Sequence, residues 1–197
     1  MKTVPFKKAS NFANHWVLAE QLIQLGARPP IVSQLCRLSR QQSIDLYKSV
    51  NGCPPKQGML PHDHQWVIQS AGRNIHASIF LGILDDIRRR LSIQHASAEV
   101  LVDAFSLYKN IASHVFIEPK ATTPVARQFT LDINRAWSLI SMLLAGDLIF
   151  TVCACCRVRF LSVIHPNATF SQCPICDVWT DRSGRRRWAS AKSKKPN

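Results

Sequence analysis

Two cysteine pairs near the C-terminal end dictate how that end can fold: Cys153-Ala154-Cys155-Cys156 and, after sixteen intervening residues, Cys173-Pro174-Ile175-Cys176. Each C-x-x-C folds into a tight knuckle that turns two thiolates the same way, and two knuckles brought together complete a tetrahedral shell around zinc. Such a closed shell has no position for water or substrate, so the expected cofactor is one structural Zn2+ per chain. The metal ligands selected by spacing are Cys153, Cys156, Cys173 and Cys176. Cys155 and His165 can be drawn as alternative ligands. The two-residue gap favours Cys156 over Cys155, because adjacent Cys155 and Cys156 would crowd two sulfurs. Cys155 then falls to packing or to a place beside the ligands, while Cys36 and Cys53 read as small buried apolar side chains.

A module this short cannot bury enough apolar surface to fold alone, so metal binding would supply about 10 kcal/mol of its folding free energy. Redox use of Cys173 and Cys176 needs a lowered thiol pKa and a helix set in a βαβ unit. Asp177-Val178-Trp179-Thr180 lead instead into a basic tail. The chain is expected not to be an enzyme.

Ahead of the cysteines the pattern is helical. Phe12, Trp16, Ala19, Leu22, Ile23 and Leu25 recur at three- and four-residue spacing, which predicts an amphipathic helix over 10–25 stopped at Gly26. Pro29 and Pro30 suit the first turn of a short helix ending near Leu38. Ser39 with Gln42 forms a capping box for a third helix. These two helices resemble a helix-turn-helix over 30–50, in which Arg40, Gln41 and Lys48 would face a DNA groove. Residues 52–61 hold three prolines and two glycines and read as a connection. Helical patterns resume at Trp66–Gln69, Ile75–Leu91, Ala98–Ile111 and from about Ala126 to Ala145. After Gly146 come two β-prone runs, Leu148–Val152 and Val158–Val163.

The fold class that follows is mostly α: a helical N-terminal domain over 1–147, a small zinc-ribbon-like module over 148–180, and a basic tail over 181–197. Residues 136–156 carry a single formal charge, Asp147, beside Gly146. An Asp at that depth costs roughly 2.5–3.5 kcal/mol on insertion scales, so a buried helix ending at Gly146 is expected and not a membrane span. No apolar run suited to export precedes residue 26, and a cytoplasmic location follows.

The chain carries 25 Lys and Arg against 12 Asp and Glu, a formal charge of +13, which points to a polyanionic partner. From Arg182 onward seven of sixteen residues are basic. Arg157, Arg159, Arg182, Arg185, Arg186 and Arg187 are candidate phosphate contacts, since guanidinium groups grip phosphate in a forked geometry.

Several segments carry a resemblance in the same order along the chain: Leu25-Gly26-Ala27-Arg28, Gly58-Met59-Leu60-Pro61, Asn74-Ile75-His76-Ala77-Ser78, Arg135-Ala136-Trp137 and the cysteine quartet. Together, from about residue 15 to 176, they resemble FlhC, the zinc-containing subunit of the bacterial flagellar master transcriptional activator. The resemblance implies a mostly helical protein that joins FlhD subunits in a heterohexamer, binds double-stranded promoter DNA and activates flagellar genes with RNA polymerase. It places the family's zinc ligands on Cys153, Cys156, Cys173 and Cys176 and implies no catalytic residues. The alternative is a zinc-ribbon module that binds protein or RNA without reading promoter sequence.

Overall fold

The computed structural model describes residues 6–93, 96–113, 131–164 and 173–178. Among these, seven α-helices precede or follow one two-stranded antiparallel sheet. Helix α1 spans Phe6–Gln24, α2 Pro29–Cys36 and α3 Arg40–Asn51. Then come a 3-10 turn over His64–Ile68, α4 over Ala71–Leu91, α5 over Ala98–Ala112 and α6 over Ile133–Ala145. Strands β1 (Leu148–Val152) and β2 (Arg159–Val163) follow, and α7 is the short Pro174–Val178. The mostly helical class with a cysteine-bearing C-terminal end agrees with the sequence expectation. No helix among the described residues is long and apolar enough to cross a membrane.

The helix ends follow local rules. Gly26 adopts φ +95°, the left-handed region open to glycine, and Ala27 N–H reaches Leu22 O at 2.8 Å while Gly26 N–H reaches Ile23 O at 2.8 Å. That pair of bonds satisfies carbonyls α1 would leave open. Gly146 closes α6 in the same way at φ +84°. Ser39 N–H donates to Gln42 Oε1 at 2.8 Å and Gln42 N–H donates back to Ser39 Oγ at 3.2 Å, the reciprocal box that starts α3.

Four expectations need correction. Helix α2 stops at Cys36 and not near Leu38, because Arg37 turns left-handed at φ +54°. Trp66 lies in a 3-10 turn, whose Trp66 ring is flanked by Arg73 at 5.3 Å and Arg135 at 4.9 Å. Helix α6 begins at Ile133 and not at Ala126, because Asp132 Oδ1 accepts from Asn134 and Arg135 N–H, both at 3.0 Å, and fixes the start there. Cys53 is exposed on the connection after α3, outside the core, whereas Cys36 is buried and its thiol is pushed up to about 11 by burial, with Glu99 adding to the rise.

The core is one apolar cluster with α4 at its centre. Ala77, Phe80, Leu81 and Leu84 of α4 meet Leu101, Ala104 and Phe105 of α5, Leu139 and Ile140 of α6, and Leu148 and Leu161 of the strands. Within it Phe80, Phe105 and Tyr108 pack with ring centroids 5.7–6.0 Å apart. Two polar groups enter this apolar setting and satisfy each other. Tyr108 Oη accepts from Leu131 N–H at 2.8 Å and shares a hydrogen bond with His76 Nδ1 at 2.9 Å. Burial holds the His76 pKa below the usual histidine value, which favours the neutral ring.

A histidine depressed in this way costs nothing where both folded and unfolded forms are neutral. Stability is therefore full above about pH 6.5 and falls below it by up to about 1.4 kcal/mol per pH unit, until the folded imidazole itself takes a proton. Urea midpoints measured between pH 7.5 and 5.5 should fall more steeply for the parent than for His76→Gln, and parallel slopes would refute the buried neutral assignment.

Candidate metal centre

Strand β1 runs directly into Cys153, and the turn it enters is the first knuckle. Cys153 N–H donates to Val158 O and Arg157 N–H donates to Cys153 O, both at 3.0 Å, so the β1–β2 hairpin is closed by the cysteine turn itself. Arg157 sits at φ +63°, an uncommon conformation for a residue with a Cβ, and exits that turn into β2. The second knuckle is the start of α7. Pro174 occupies the first helical position, where its missing donor costs nothing, and Asp177 N–H donates to Cys173 O at 2.9 Å.

The two knuckles face each other. Cys153 Sγ lies 3.8 Å from Cys176 Sγ and Cys156 Sγ lies 3.5 Å from Cys173 Sγ. All four sulfurs fall within 4.8 Å of one another, and they form a group able to hold a metal ion. Four thiolates placed tetrahedrally about 2.3 Å from a central ion stand about 3.8 Å apart, close to the separations of the two facing pairs. They are far too long for disulfides.

The electrostatics of the quartet call for a cation. The N–H groups of Cys156 and Cys155, aimed at Cys153 Sγ from 3.5 and 3.4 Å, hold the Cys153 thiol down at about 6. Burial and the neighbouring sulfurs push Cys173 and Cys176 up. Four like charges in so small a space cannot coexist unaided, and a divalent ion removes that conflict. Cys155 contributes its main chain to this arrangement while its side chain is exposed.

What aims the hairpin is a set of contacts from α4. Leu161 of β2 pairs with Phe150 of β1. On its other edge Leu161 O accepts from Asn74 Nδ2 at 2.8 Å, and Leu161 N–H donates to Ser78 Oγ at 3.0 Å. Ser78 Oγ–H in turn donates to Asn74 Oδ1 at 2.9 Å. These two side chains, one helical turn apart, take the place of a third strand and cover the free edge of the sheet. Arg159 adds an exposed tie, 3.2 Å from Asp85 of α4, with its guanidinium 4.4 Å from the centre of the Phe150 ring. Neither Asn74 nor Ser78 was singled out as a metal-centre support by spacing, since both lie more than eighty residues from Leu161.

The candidate phosphate contacts divide. Arg40, Gln41 and Lys48 are exposed on α3, and Gln41 Nε2 donates to both Asp45 carboxylate oxygens, at 2.8 and 2.9 Å. Arg157 is exposed at the first knuckle, and Arg159 is engaged as above. Arg182, Arg185, Arg186 and Arg187, with His165, lie outside the described residues.

Comparison with known proteins covers nearly the whole chain. The family model described as "Flagellar transcriptional activator (FlhC)" matches residues 6–190. This chain belongs to the FlhC family. Among curated relatives, the flagellar transcriptional regulator FlhC of Verminephrobacter eiseniae is 32% identical over 173 residues, covering 88% of this chain and 86% of the relative. The FlhC of Proteus mirabilis is 33% identical over 174 residues, 88% and 83% of the two chains, and that of Serratia marcescens 31% over 170 residues, 86% and 81%. FlhC membership makes this chain a member of a flagellar regulator family and not of an enzyme class.

In this FlhC chain the helix α4 brace is directly testable. Asn74→Ala leaves the buried Leu161 carbonyl without its donor and Ser78 without its acceptor, which should cost about 1–3 kcal/mol. Denaturant titration reads the loss, and hydrogen exchange should rise first at amides of 148–163. An unchanged midpoint with unchanged protection would show that the edge is held by packing alone.

Proposed function

We propose that this chain is a DNA-binding transcriptional activator subunit that acts with an FlhD-like partner in a heterohexamer, binds double-stranded promoter DNA and activates flagellar genes with RNA polymerase in the cytoplasm. The observation that carries the reading is the match to flagellar transcriptional activators over residues 6–190. The formal charge of +13 supports a polyanionic partner.

The four cysteines are read as ligands of one structural Zn2+. All-sulfur donors of tetrahedral spacing suit zinc, and four protein ligands exclude a water position of the kind catalytic zinc keeps. When bound, the ion supplies rigidity and charge balance. The chain's own residues do the rest: the knuckles fix the hairpin and α7, and the zinc-binding module over 148–180 leads into the basic tail over 181–197. That region holds nine basic and two acidic residues, a surplus of seven. Four thiolates around a divalent ion subtract about two charges, and the region stays positive by about five. Arg157 and the tail arginines are the residues expected to meet DNA phosphate.

Cys176→Ser should abolish stoichiometric zinc by atomic spectroscopy, expose residues 148–176 to protease and remove promoter binding. Full zinc in the variant would overturn the ligand assignment. For the parent with its partner subunit, promoter affinity should drop about a thousandfold or more between about 50 and 200 mM salt if six or more phosphates are neutralised. Affinity insensitive to salt, or equal for promoter, random duplex and RNA, would favour the interaction-module reading instead.

A further inference from the structure

A cleft of about 970 Å³ lies between α2, α3 and the proline-rich connection after α3. Arg28, Arg40, Lys48 and Lys56 contribute to its lining, and among the described residues no carboxylate does. Arg40, Lys48 and Lys56 are exposed, and among the described residues none of them forms an ion pair. Like charges gathered around a concavity focus a positive potential there.

The walls are preformed. Arg28 Nη1 donates to Met59 O at 2.9 Å, and Nη2 donates to Lys56 O at 2.9 Å and to Gly58 O, so one guanidinium pins the connection across the cleft. Arg28 N–H is itself anchored to Asn134 Oδ1 at 2.9 Å. These acceptors are neutral carbonyls, so among the described residues no carboxylate pairs with Arg28, and its buried Nε–H has no acceptor there. On the facing wall Arg40, Ile44 and Lys48 recur every four residues, which sets two charges about 12 Å apart along α3 with an apolar side chain between them. Pro54 and Pro55 supply rigid apolar rings opposite.

We propose that this cleft binds a small organophosphate of nucleotide dimensions, a nucleoside polyphosphate, with its phosphates against Arg40, Lys48 and Lys56 and its ring system on the proline wall. The volume is at the upper end of small-molecule sites, about 300–1,000 Å³. A polyphosphate concentrates several charges at one end of an otherwise flat molecule, which matches three cations beside an apolar wall better than carboxylates spread along a peptide. Because Arg28 already holds the connection, little ordering is left for the ligand to impose.

The test is calorimetric titration of the full metal-loaded chain with ATP, tripolyphosphate and decaglutamate at about 150 mM salt. ATP should bind one site per chain with a Kd below about 1 mM. Arg40→Gln with Lys48→Gln should weaken it about tenfold or more, while Arg90→Gln with Lys109→Gln, exposed cations elsewhere, should leave it within about twofold. Both double variants should melt like the parent. Tripolyphosphate should bind about threefold or more weakly than ATP, since it lacks the ring. The proposal is overturned by absence of saturable ATP binding, by equal losses in the two double variants, by tripolyphosphate matching ATP, or by decaglutamate binding more tightly. It is equally overturned if random duplex displaces ATP and the Arg40/Lys48 variant loses duplex affinity in proportion, which would make the cleft a DNA backbone contact.

Discussion

The grip of α4 on the main chain of Leu161 is the constraint on which the C-terminal end of this protein depends. A two-stranded hairpin is marginal alone in water, because half of its main-chain groups have no partner and one of its faces has no cover. Here Asn74 and Ser78 satisfy both outward groups of Leu161, and Leu148 and Leu161 are buried among helical side chains. The first cysteine pair is the turn of that hairpin, so its position is set by a helix more than sixty residues away in sequence. Helix α7, which carries Cys176 and directly follows Cys173, also packs on α4. Both halves of the thiol quartet are thus referred to one rigid element.

That shared support explains how four sulfurs come to lie within 4.8 Å of one another. Scaffold and ion act on the same geometry from opposite sides: the helix brings the knuckles together, and a divalent charge removes the repulsion that results. The thiol acidities are uneven because backbone N–H groups hold Cys153 low, while burial first and the neighbouring sulfurs second push Cys173 and Cys176 up. The same economy governs the core, where Tyr108 and His76 pair within an aromatic cluster so that neither polar group is left bare.

Features written in neighbouring residues were legible before the structure. The Ser39–Gln42 box, the glycine stops at 26 and 146, the paired strands and the facing cysteine pairs all arise from spacings of a few residues, and each appears where its local chemistry demands. Apolar periodicity upstream of α6 predicts an earlier start, and the single capping carboxylate of Asp132 overrides it. Residue type alone places Cys53 in the core, whereas the prolines and glycines around it mark the exposed connection on which it lies. The bracing of Leu161 by Asn74 and Ser78 had no local signature at all: both residues look like ordinary polar positions on a helix, and only tertiary placement reveals what they bond.

Arg28 contacts the connection after α3 solely through carbonyl oxygens of Lys56, Gly58 and Met59. Recognition of that kind is blind to side-chain identity. Exchange of the exposed Gln57 can therefore alter the outward chemistry of the loop while the chain follows the same path, an outer face free to vary on an anchorage that does not move.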